Sequence, residues 1–121
     1  MACIAFADRI PHPMTVRALR ENPHQAVTAR LAGEVIDARG GERHVLTRRE
    51  DNADLVPFSM EDDTDEIEVW VPTDDLPRQL TKGDHVRIWG RYVAMDIEDA
   101  RSRTVKSARQ FVASSVSVDA R

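Results

Sequence analysis

Apolar residues fall on alternate positions along most of this chain, the period of a strand with one buried face. "QAVTARLAGEVIDARGG" puts Val27, Ala29, Leu31, Gly33 and Val35 on one side, and a turn at Gly40-Gly41 follows. "RHVLTRRE" resumes an extended chain, "DNAD" interrupts it, and "LVPFSM" continues it. The pattern fits either one long bulged second strand or a strand with an insertion at 50–54. Pro57 donates no ladder bond, so its segment belongs at an edge or in a bulge. "EIEVWVP" alternates most cleanly: Ile67, Val69 and Val71 point inward, Glu68 and Trp70 outward, and Pro72 ends the strand. In "HVRIWGRYVAM", Val86 and Ile88 point inward, leaving Arg87 and Trp89 outward. "QFVASSVSV" changes phase between Phe111 and Val116, which predicts a bulge at Ser114-Ser115.

Two helical pieces interrupt the strands. "MTVRALRENP" predicts a short helix with Thr15 as cap, Met14 and Leu19 as a hydrophobic staple, and Pro23 as terminator. "TDDLPRQLTKGD" predicts one or two helical turns capped by Thr73, with Asp74 and Asp75 at the positive end of the dipole. Glycines on the inward rows of the first and fourth strands suit a sheet that curls closed. The sum is five strands with a short N-terminal helix and a short helix between strands three and four.

In order, "LAGEVIDARGG", "FSMEDDTDEIEVWV", "LTKGDHVRIWGRYV" and "FVASSVSV" resemble the OB-folds of the anticodon-binding and replication-protein-A type. Gly33 with Val35, Asp63 with Thr64, Ile67 with Val69, and Gly83-Asp84-Val86-Ile88-Gly90 stand at the family's motif positions. The departures are a longer stretch after the first strand and Asp65 where many relatives carry Gly. The resemblance implies an all-β, five-stranded closed Greek-key barrel over residues 26–119, preceded by an N-terminal segment (1–25) and followed by a tail (120–121). It also implies that single-stranded DNA or RNA lies across strands two and three, clamped by the loops joining strands one to two and four to five.

The charge distribution adds to that expectation. The 121 residues carry a net charge of −4. From Glu50 to Asp75 there are eleven acids and no base, so the rest of the chain is +7. Arg39, Arg43, Arg48 and Arg49 fall in the first clamp loop, and Arg101, Arg103, Lys106 and Arg109 in the other. Trp70 is expected to stack a base, with Trp89 and Arg87 on the neighbouring outward row. The alternative for either Trp is burial under the N-terminal helix or a partner subunit. Glu66 and Glu68 flank Trp70 and repel phosphate, which fits the second reading, a protein-binding adaptor within a hetero-oligomer. The family implies a small subunit of a replication, repair, telomere or RNA-processing complex.

Catalytic and cofactor chemistry find little footing. Four dispersed histidines and one cysteine give no ligand spacing, and the acid run lacks the glycine and final acid of a calcium loop. Ser114-Ser115 has no nucleophile-elbow glycines. No enzyme activity and no cofactor are expected. No apolar run approaches the roughly 20 residues of a membrane span, and no secretory signal is read, so the expectation is an intracellular protein.

Overall fold

The computed structural model describes residues 12–22, 28–38, 46–48, 50–99 and 103–119. Its elements are β1 (His12–Pro13), α1 (Val16–Glu21), β2 (Ala29–Asp37), β3 (Leu46–Arg48), β4 (Ala53–Glu61), β5 (Glu66–Pro72), β6 (His85–Asp99) and β7 (Val105–Val118). The expected turn at Gly40-Gly41 and the expected helix stop at Pro23 lie outside the described residues.

The sheet closes on itself. β2 pairs with β4 and β6, β4 with β5, β6 with β7, and a bridge between Trp70 and Val112 joins β5 to β7. The ring therefore reads β2–β4–β5–β7–β6–β2 and is barrel-like. Two glycines let its strands approach closely. A methyl group on Gly33 would stand 2.2 Å from the carbonyl oxygen of Glu61, and one on Gly90 2.5 Å from that of Val112.

The core follows the alternation. Leu31, Val35, Phe58, Met60, Ile67, Val69, Val71, Val86, Ile88 and Phe111 fill the interior, and Val16 and Leu19 of α1 close one end. Tyr92 meets Phe111 edge-to-face at 5.5 Å.

The second-strand region consists of two strands. β3 and β4 form a hairpin through residues 50–52, with Asn52 in the left-handed region at φ 56°. β2 pairs with β4 up to Ser59, and β3 pairs with it from Leu55. Pro57 lies between those two partners, where a residue without an N–H fits. β3 also pairs with the far end of β6, Arg48 opposite Ile97. The arms leading to the two expected clamp loops therefore lie side by side.

The helix expected between the third and fourth strands is reduced to a single 3-10 turn, Thr73–Asp75. Thr73 is not its cap: Pro72 stands there and makes no side-chain cap bond. Pro77 explains the truncation, since the residue before a proline disfavours helical backbone. The remaining connection is held by Asp84, which accepts from the Thr81 N–H and from the Arg78 guanidinium. The Arg78 bonds, then the Thr81 N–H, pull the Asp84 carboxyl below its ordinary range.

α1 is tied down by the acidic turn. Thr15 caps the helix by accepting from the Ala18 N–H. One carboxylate oxygen of Asp62 accepts from the Val16 N–H at 2.8 Å, and the other accepts from Thr64 N–H and hydroxyl and from Asp65 N–H. Arg17 donates to the Thr64 carbonyl, and Arg20 to the Glu66 carbonyl and Asp65 carboxylate. Burial pushes the Asp62 carboxyl up, but the bonds from Thr64, Val16 and Asp65 outweigh it and leave it lowered. The acid run between β4 and β5 is thus the receptor for the helix.

Candidate nucleic-acid interface

Side-chain alternation divides the outer wall of the ring into two faces of opposite character. The outward row of β5 is Glu66, Glu68 and Trp70, and Glu61, Ser59 and Pro57 of β4 lie opposite them in register. Glu61, Glu66 and Glu68 are exposed. Trp70 is on the outward row, as alternation predicts, yet only 6% exposed. Leu55, Val112 and Val93 pack around its indole, and its N–H donates to Glu68 at 3.0 Å. An exposed stacking platform at Trp70 is therefore corrected. The bridge to Val112 brings β7 alongside and covers the ring.

The opposite wall, made of β2, β6 and β7, carries the other tryptophan. Trp89 is 45% exposed. The expected alternative of burial under the N-terminal helix does not hold, because α1 docks on the turn at residues 62–66. Arg87 and Arg91 stand two positions before and after Trp89 on the same exposed row. Arg30 of β2 is directly opposite Trp89, and Ser115 of β7 is opposite on the other side. The register of β6 on β7 shifts between Trp89 and Gly90, leaving Ser114 extra, and its hydroxyl donates to the Trp89 carbonyl at 3.3 Å. This is the bulge expected at Ser114-Ser115. It keeps Phe111 and Val116 inward while Ser115 and Ser117 share the outer face with Trp89 and Arg87.

One tryptophan is thus framed by three arginines within a single sheet face. Arg87 pairs with Asp119 at 2.9 Å. Arg30 and Arg91 make no ion pair with any described residue. Neither was singled out from the sequence, although alternation places both outward. Arg91 joins Trp89 by alternation along β6 itself, whereas Arg30 joins it only through the pairing of β2 with β6, which the sequence does not display.

The expected clamp-loop cations are more dispersed. Arg39, Arg43, Arg49 and Arg101 lie outside the described residues. Arg48 is half-buried and donates twice to Asp51, at 3.0 and 2.8 Å. That hydrogen bonding raises the Arg48 pKa and lowers that of Asp51. Arg103 is exposed with φ 58°, and Arg109 is exposed. Lys106 has only its backbone position described, opposite Ile97 on β7.

A cavity of about 1000 Å³ lies elsewhere, under the β5–β6 connection, floored by Phe58 and Leu80. Its lining holds the cations Arg78 and Lys82 and the acid Asp37, and Arg78 is already held by Asp84. Among the described residues no cluster of His, Cys, Asp or Glu is arranged to hold a metal, and no helix is long and apolar enough to cross a membrane.

No family model matches the chain, and a search of curated proteins returns no match.

Proposed function

We propose that this chain is an OB-type barrel that binds single-stranded nucleic acid on the outer face of β2, β6 and β7. Trp89 is the stacking platform, and Arg30, Arg87 and Arg91 neutralise phosphates. The observation that carries the reading is the register that frames an exposed tryptophan with three arginines. A flat aromatic surface takes any base, and stacking on it contributes about 1–3 kcal/mol per base. The guanidinium groups add an electrostatic term that carries no sequence information. Binding is then tolerant of sequence and steeply salt-dependent. The ring order β2–β4–β5–β7–β6 supports the OB assignment, since it is the order of a five-stranded Greek-key barrel.

This reading moves the contact surface away from the face that the resemblance implies. The outer wall of β4 and β5 offers Glu61, Glu66 and Glu68 to solvent, and those charges repel a phosphate backbone. That same acidity supports a second role, in which the β4–β5 wall meets a basic surface of a protein partner.

The test is fluorescence anisotropy of a labelled oligothymidine or oligouridine at low and at physiological salt. Trp89→Ala should weaken binding by roughly thirtyfold, the midrange of one lost stacking contact. Undiminished binding by Trp89→Ala, or equal binding of an acidic peptide or anionic vesicles, would overturn the proposal.

A further inference from the structure

Among the described residues, the basic island around Trp89 is small. From Arg87 to Arg91 is four residues, about 13 Å of extended chain, and from β2 across to β7 is about 10 Å. Beyond Arg87 the face turns acidic. Glu34 is paired with His85, Glu61 lies next to Glu34, and Asp119 donates its N–H to the His85 carbonyl while its carboxylate holds Arg87. Beyond Arg91 the row passes into Val93, which packs with Trp70 and Leu55 and presents no charge. On the far side of β7 stands β5 with exposed Glu68.

Resting on the nucleic-acid reading above, we infer that the site takes a short single-stranded segment of about four nucleotides, the low end of OB-fold site sizes. Its substrate class is an overhang, gap or loop rather than a long continuous strand. One base stacks on Trp89, and the neighbouring phosphates meet Arg30, Arg87 and Arg91. Among the described residues, nucleotides next to either end meet acid or the uncharged Val93, so they add little to the affinity of one barrel. The chemistry is shared by DNA and RNA, because stacking and phosphate pairing both occur in either polymer.

The experiment is a length series of oligothymidines and, in parallel, oligouridines of about two, four, eight and sixteen nucleotides, with affinity and stoichiometry measured by titration calorimetry. Three neutralised phosphates give an expected log–log salt slope of about −2 on a single strand. The expected result is an affinity per barrel that levels off at about four nucleotides, an unchanged slope at greater lengths, and several barrels on the longest oligomer. A one-to-one complex whose affinity and slope climb through the whole series would overturn the short footprint while leaving the nucleic-acid reading intact. Absence of binding at every length in about 20 mM salt would instead sink that underlying reading. Comparing the thymidine with the uridine series identifies which polymer is the source of the segment.

Discussion

The Val16 N–H donates to the Asp62 carboxylate at 2.8 Å, fastening the first residue of α1 to the turn between β4 and β5. A helix starts with N–H groups that have no partner inside it, and a carboxylate on another element satisfies one of them here while meeting the positive end of the helix dipole. Asp62→Ala should lower stability by about 1–2 kcal/mol, comparable to loss of an N-cap, as measured by urea denaturation at neutral pH. If α1 were merely resting on the sheet, the change would leave the urea midpoint where it is.

The same carboxylate sets a pH dependence. Asp51, Asp62 and Asp84 all have lowered folded-state pKa values. A carboxyl depressed by folding contributes stability that is fully present above its unfolded value, about 3.9, and lost as pH falls through the folded value. Thermal stability should therefore hold from neutral pH down to about 4 and drop below it. The drop should be shallower in Asp62→Asn, which is already weakened at pH 7. A wild-type protein equally stable on both sides of pH 4 would contradict the hydrogen bonding assigned to these three groups.

The two tryptophans should separate cleanly by assay. Trp70→Ala removes a covered indole and should cost about 3 kcal/mol of stability. Trp89→Ala should leave the melting temperature within about a degree or two, as an exposed position does, while weakening oligonucleotide binding. The opposite pattern would reverse the assignment of the two faces.

Asp119 competes with phosphate for Arg87. The pair is exposed on both sides, with side chains 62% and 42% accessible, so breaking it changes stability little. Asp119→Asn should strengthen oligonucleotide binding at low salt by up to about fivefold, and the gain should fade as salt screens the pair. A loss of affinity would place Asp119 among the contacts instead.

Gly33→Ala and Gly90→Ala both drive a methyl group into backbone, 2.2 Å and 2.5 Å from a carbonyl oxygen. Neither carbonyl belongs to a flexible side chain that could move aside. Each change should cost about 3 kcal/mol or more, seen as a lowered urea midpoint. Wild-type stability in either variant would mean that the strands are farther apart than described.

Much of this architecture was legible in the chain because alternation is a strict rule. It placed Ile67, Val69 and Val71 inside and Trp70 on the outer row, and the phase change near Ser114 announced its bulge. Alternation assigns a row, however, and not what a distant strand lays over it. Val112 and Val93 cover Trp70 through pairings that join remote parts of the chain. For the same reason Arg30 looks unremarkable in isolation and becomes a neighbour of Trp89 only through the β2–β6 register, while Arg91 follows Trp89 by two positions on β6 itself. The acid run held a second role that its charge does not display. Glu61, Glu66 and Glu68 present the acidic surface expected of it, whereas Asp62 within it is a hydrogen-bond acceptor for backbone N–H groups.

The bridge between Trp70 and Val112 is the narrow fastening of the ring, while β6 and β7 are laced along nearly their whole lengths. A loop of cloth held by one button opens at the button. Amide deuteration should accordingly penetrate first at the β5–β7 seam and last along the inner stretch of β6, so that the ring breathes as a hinged cuff well before it melts.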